Sequence, residues 1–216
     1  MEKMKLKYFS LIFSIAGIVL LYFLSTLTQP VLIELHEIPE YEGKQVIVEG
    51  IVTEHHVTSY GSQIITIAND NVTTTVFVEE KTDVEYGDKI QVTGKVQKYK
   101  GDWEIVVSNV RFVNIIQKWQ NITFPLWQLA ENPTKYVGLN VNVTGRIDTV
   151  YDTYFYLVDS EEEHSIIVFY NPSEYNNSFY PGQKVHVAAR FTFDEEDFRY
   201  KLEVSEEIHN ISPSTG

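Results

Sequence analysis

The stretch YEGKQVIVEGIV, from Tyr41 to Val52, returns as YVGLNVNVTGRI from Tyr136 to Ile147. Tyr41 and Tyr136, Gly43 and Gly138, Val46 and Val141, Val48 and Val143, and Gly50 and Gly145 all stand 95 positions apart. The same offset relates GDKIQVTG, from Gly87 to Gly94, to GQKVHVAA, from Gly182 to Ala189. Two separated blocks sharing one offset mean a unit written twice, each copy about 90 residues long. Alternation along the first block (Val46, Val48, Gly50 and Val52 against Glu49 and Thr53) is the period of a β-strand.

Working outward, copy one reads as strands over Gln45 to His55, Ser62 to Ala68, Thr73 to Val78, Asp88 to Gln97 and Trp103 to about Val113. Turns at Tyr60-Gly61, Ala68 to Asn71 and Lys100 to Asp102 separate them, and Glu79 to Tyr86 is a polar connection with room for a short helix. Copy two repeats the order over Leu139 to Val150, Phe155 to Val158, Ser165 to Tyr170, Lys184 to Phe193 and Arg199 to Val204, after a helical lead-in from Trp127 to Tyr136. The expected organisation is a short N-terminus over 1–7, an apolar span over 8–27, one domain over 31–116, a linker over 117–124, a second domain over 125–211 and a frayed tail over 212–216.

Tyr8 to Leu27 is 20 residues without a formal charge, preceded by Lys3, Lys5 and Lys7. Twenty residues at helical rise cover roughly 30 Å, a bilayer core, and the lysines favour the cytoplasmic side. No small-x-small cleavage site follows, so an uncleaved single-pass anchor in the cell membrane is expected, with both domains outside the cytoplasm. The sequons at Asn71, Asn121, Asn142, Asn176 and Asn210 fit a glycosylated, extracellular setting. Cysteine is absent, which excludes disulfides, thiolate metal sites and thiol nucleophiles. The totals of 17 Lys and Arg and 30 Asp and Glu, less Lys3, Lys5, Lys7 and Glu2, leave 14 against 29 beyond Leu27, a balance of −15. Such a surface repels phosphate and suits a cationic partner.

Two candidate ligand surfaces emerge. In copy one, His55 and Tyr60 sit in the first hairpin loop, Lys98, Tyr99, Lys100 and Trp103 in the last, and Lys95 faces outward on the fourth strand. Lysines interleaved with rings supply charge for phosphates and faces for stacked bases, the chemistry of single-strand binding; an ordinary hairpin with a half-buried Trp is the competing reading. In copy two, Tyr151, Tyr154 and Tyr156 could line a shallow groove for a sugar, a peptide or a planar ligand, or could be rim and core packing. The acidic runs Glu161 to Glu163 and Asp194 to Asp197 lack the spaced pattern of a calcium loop. Adjacent His55 and His56 point to opposite faces of a strand, and no histidine pair has a metal spacing. No nucleophile elbow or phosphate loop is present, so no catalytic residue, metal or cofactor is expected.

Five strands, a longer connection after the third and a glycine inside the long first strand resemble the OB-fold, a five-stranded Greek-key barrel. The expected fold class is all-β: two tandem OB-fold barrels behind one N-terminal transmembrane helix. The G-x-x-V-x-V-x-G pattern of Gly43 to Gly50, behind an N-terminal span, also resembles the haem chaperone of cytochrome c maturation. That resemblance implies haem attached through a histidine, or a cysteine in some variants, in a C-terminal motif ending in tyrosine. This chain departs from it, with two copies, no cysteine, and His209 followed by Asn210-Ile211-Ser212. The leading expectation is a membrane-anchored, extracytoplasmic, non-catalytic binding or scaffolding module for a protein or small ligand, with nucleic acid disfavoured. A haem chaperone and a single-stranded nucleic-acid binder are the alternatives.

Overall fold

The computed structural model describes residues 11–22, 29–175 and 179–214. In chain order the first sheet holds β1 (Val31–Leu32), β2 (Gln45–Val57), β3 (Gln63–Asn69), β4 (Val72–Val78), β5 (Lys89–Tyr99), β6 (Asp102–Val107) and β7 (Val113–Gln117). The second holds β8 (Thr123–Phe124), β9 (Asn140–Val150), β10 (Tyr154–Val158), β11 (Ser165–Phe169), β12 (Lys184–Asp194), β13 (Arg199–Glu203) and β14 (Asn210–Pro213). Strands β2-β3-β4-β6-β5 close on themselves through the β2–β5 pairing, and β9-β10-β11-β13-β12 close through β9–β12. This is the OB-type five-stranded barrel, present twice.

Closure requires the first strand to serve two partners. β2 pairs with β5 from Gln45 to Ile51 and with β3 from Ile51 onward. β9 pairs with β12 up to Arg146 and with β10 from Arg146 onward. Gly50 and Gly145 each stand one residue before the switch. Neither has a positive φ; what they supply is room. A Cβ on Gly145 would lie 2.6 Å from the Val158 carbonyl oxygen and 2.7 Å from Leu157 Cγ, and one on Gly50 would lie 3.0 Å from the Ala68 oxygen. The neighbouring strand crosses where a side chain would stand.

The 95-residue offset extends to hydrogen bonds. Gly43 N–H donates to Val96 and Gly138 N–H to Phe191; Gly87 N–H donates to Val52 and Gly182 N–H to Ile147. All four glycines have φ between +77° and +90°, a region that disfavours other residues. One core gathers Val46, Val48, Ile65, Ile67, Ile90 and Ile105, the other Val141, Val143, Phe155, Leu157, Phe191 and Leu202.

Several expectations are corrected. The connection from Glu79 to Tyr86 contains no helix, whereas its counterpart in copy two carries the short α3 (Pro172–Tyr175). The last strand of copy one does not run to Val113: β6 ends at Val107, a 3-10 turn follows at Val110–Phe112, and β7 pairs back onto β5. The expected tail over 212–216 is not all frayed: Ser212 and Pro213 belong to β14, which pairs with β12. The lead-in to copy two is α2 (Leu126–Glu131), a turn and a half.

The N-terminal span is also corrected. Residues 11–22 form helix α1, and no helix among the described residues is long and apolar enough to cross a membrane. The lysines at 3, 5 and 7 and the end of the expected span lie outside the described residues. The single-pass anchor is not upheld, and the placement of both domains outside the cytoplasm, which rested on it, falls with it. The reading as a membrane-anchored extracytoplasmic scaffold is overturned for the same reason.

The segment between the barrels is a fixed structural element. Trp119 is fully buried, and its backbone N–H donates to Asp88 Oδ1 at 3.0 Å. Lys118 Nζ donates to Asp88 Oδ2 at 2.9 Å and to the Asp83 carbonyl at 3.0 Å. The Trp119 ring meets the His209 ring edge-on at 6.2 Å. Arg190, on β12, lays its guanidinium 3.5 Å from the centre of the Tyr86 ring of the first barrel. A Cβ on Gly87 would lie 2.7 Å from the Asn140 oxygen, so the two barrels touch backbone to backbone there.

Candidate functional site

The β5–β6 hairpin carries the basic and aromatic residues of copy one. Lys95, Lys98, Tyr99 and Lys100 are all exposed, and Trp103 is half-buried against the first core. Strand alternation sends Lys95 and Tyr99 to the outer face, whereas Lys98 pairs with Trp103 at the barrel end. Lys98 Nζ sits 4.6 Å from the centre of the Trp103 ring, and Lys100 Nζ 5.2 Å from that of Tyr99. Lys100 takes φ +52° and Gly101 φ +104°, so the turn itself lifts the Lys100 side chain clear of the sheet. Among the described residues, Lys95, Lys98 and Lys100 form no salt bridge.

The first hairpin loop does not join this surface. Gln63, at the start of β3, pairs with both Val57 and Val78, so the loop holding Tyr60 lies at the Val78 end of β4. β6 runs parallel to β4 with Thr75 opposite Glu104, which puts the turn before Asp102 at the opposite end, near the β3–β4 turn. Tyr60 is 94% exposed but stands apart from Lys98 and Trp103. His55 is not a surface ligand group either. Its ring packs on Tyr86 with centroids 4.5 Å apart, and its Nε2 is buried without a hydrogen-bond partner.

His55 therefore belongs to the junction between barrels, as does His209. Ser205 N–H and Glu206 N–H both donate to His209 Nδ1, so the ring proton resides on Nε2, which donates to Asn140 Oδ1 at 3.2 Å. A histidine fixed this way, 7% exposed, has no role left for haem, and the haem-chaperone resemblance finds no support in it. Burial, with Arg190 adding repulsion, holds both His55 and His209 below the ordinary imidazole range. Burial also raises the Glu85 carboxyl, 4.0 Å from His55 Nε2.

The pH dependence follows from these shifts. A histidine whose folded pKa lies below its unfolded value of about 6.5 binds fewer protons in the native state, so stability is complete above that value and declines as pH falls below it. Glu85, with a raised folded pKa, acts in the opposite direction and at lower pH. Thermal midpoints are thus expected to fall as pH drops from about 7 to about 5.5, and a His55→Gln variant should show a shallower fall. A flat wild-type profile over that interval would show that neither ring is held neutral.

In copy two, Phe155 and Leu157 face the core while Tyr154 and Tyr156 face out. Tyr151 stacks on Tyr154 with centroids 4.5 Å apart and planes inclined by 21°, and Tyr156 meets both edge-on, so the three tyrosines form a surface platform. Asn142 lies in the paired part of β9 with its amide donating to the Gln120 carbonyl, an unsuitable glycan acceptor. Asn176 lies outside the described residues, and Asn71, Asn121 and Asn210 are exposed.

No family model matches the chain, and no curated protein matches it. Among solved structures, a murine DNA-binding protein bound to double-stranded DNA is 14% identical with a TM-score of 0.35, covering 80% of this chain and 97% of that one. The p204 HINb domain is 16% identical at 0.32, covering 81% and 97%. Asparaginyl-tRNA synthetase from Pyrococcus horikoshii is 18% identical at 0.33, covering 39% of this chain and 23% of that one. This chain spans about a quarter or less of the synthetases it matches, 21% to 26% of their length. The expectation that nucleic acid is disfavoured as a partner is corrected, because its premise of an extracytoplasmic location has fallen. The scores are too low to carry an argument, and any assignment rests on this chain's own geometry.

Proposed function

We propose that the first barrel binds single-stranded nucleic acid through its β5–β6 hairpin. The observation that carries this reading is two salt-bridge-free lysines, Lys98 and Lys100, over the rings of Trp103 and Tyr99 at one exposed turn, with the exposed Lys95, also free of salt bridges, further back along β5. Exposed ammonium groups neutralise phosphates, and ring faces stack bases of any sequence. The lysines over Trp103 and Tyr99 are flexible and solvated, so swinging one to a phosphate frees the ring face for a base. Asp102 and Glu104 stand in the hairpin itself, Glu104 engaged by Gln97, while the acidity elsewhere in the chain is screened within about 10 Å at 0.1 M salt.

Fluorescence anisotropy with labelled oligothymidylate tests this on the full chain. Engaging three lysines predicts a slope of about −2 in log affinity against log salt. Replacing Trp103 by Ala is expected to weaken binding about tenfold, the stacking of one base, and Lys98→Ala with Lys100→Ala should reduce the slope. No anisotropy change at low salt, or wild-type binding by a variant combining Lys98→Ala, Lys100→Ala and Trp103→Ala, would sink the reading.

A further inference from the structure

The outer face of the second barrel carries rings with no cation over them. Ile167 is 3% exposed yet belongs to neither core cluster. It pairs with Tyr156 on one side and Lys201 on the other, so it is roofed from outside by the ring and the lysine stem. Tyr154 lies 6.0 Å from Tyr156 and 5.5 Å from Phe169, and Tyr151 extends the row at 47% exposed. At one end this face already does what such a surface can do. Lys201 Nζ sits 5.4 Å from the Phe169 ring centre, held there by Asp194 at 2.9 Å and Glu203 at 2.8 Å. At the other end, among the described residues, no cation lies over Tyr151, Tyr154 or Tyr156. Asp148 and Asp152, both exposed, flank them in the β9–β10 hairpin.

Electron-rich ring faces beside carboxylates attract an organic cation, and a planar guanidinium can stack on the ring while bonding the carboxylate. A phosphate backbone would instead meet Asp148, Asp152 and Glu203 with the nearby ammonium already engaged. We propose that the tyrosine face of the second barrel docks an arginine-rich segment of a basic partner protein. Charge complementarity extends beyond the patch, since the chain carries a net charge of −13. This surface is separate from the lysine hairpin and does not depend on its function.

Labelled octa-arginine and octa-lysine peptides, titrated against the full chain by anisotropy, provide the test. Octa-arginine should bind more tightly than octa-lysine, because bulk charge alone would treat the two alike. A Tyr151→Ala, Tyr154→Ala variant should lose about tenfold in octa-arginine affinity, while Tyr151→Phe, Tyr154→Phe, which keeps the rings and the packing over Ile167, should retain it. The Lys98→Ala, Lys100→Ala, Trp103→Ala variant should bind octa-arginine as wild type does, separating this site from the nucleic-acid reading. Equal affinity for both peptides, no binding of octa-arginine, or unchanged binding after loss of both rings would overturn the proposal.

Discussion

Trp119→Ala is expected to cost about 3–5 kcal/mol of stability, the range for emptying a fully buried aromatic site. The residue is in the segment between the barrels, yet it has no exposed surface and packs edge-on against His209 of the second barrel. Its removal leaves a void between two cores that are otherwise complete, and the collapse needed to fill it is opposed by the backbone contact of Gly87 with Asn140. Equilibrium denaturation of the wild type should give one cooperative transition, and the variant should give two as the barrels uncouple. Trp119→Phe should cost less, because the indole Nε1 is buried without a partner and its loss removes an unsatisfied donor. A Trp119→Ala variant that unfolds in one transition at wild-type denaturant would show that the barrels are held by other contacts.

The repeat made the barrels legible. Residues with strict backbone duties (Gly43, Gly87, Gly138 and Gly182 at positive φ, Gly50 and Gly145 under a crossing strand) recur at one offset because each barrel needs them. Sequence alternation cannot distinguish a bend from a change of pairing partner, so the position of Gly50 is legible while its reason, the close approach of Ile67 and Ala68, is not. The site was less legible. Grouping Tyr60 with Trp103 assumed that both loops meet, but this depends on strand direction: β6 runs parallel to β4, and a local pattern has no access to that pairing. The ring row of copy two was visible as composition, but which rings face out required knowing that Phe155 and Leu157 fill the core. The junction was missed altogether. Its residues come from six separate segments, and only where the copies differ does the sequence hint at it.

Asp88 is that difference. It occupies the repeat position of Gln183, and both side chains accept a backbone N–H three residues earlier, from Glu85 and from Tyr180. Only in copy one does the side chain go further, accepting from Trp119 N–H and from Lys118 Nζ while fully shielded from water. Asp88→Ala is therefore expected to cost about 1–3 kcal/mol, because it strands the buried backbone N–H of Trp119 and the half-buried one of Glu85, whereas the partly exposed Lys118 keeps the Asp83 carbonyl. Lys118→Met alone leaves the carboxylate with its two backbone donors and should cost less. The double variant should fall short of the summed single losses, because the unpaired charge is gone, and urea denaturation of the four proteins in the cycle measures that coupling. Strict additivity would mean that the Lys118 contact contributes nothing and that Asp88 acts only through its backbone partners. Coupling above about 1 kcal/mol would place the ion pair, with Trp119, among the contacts that turned a duplicated barrel into one cooperative body.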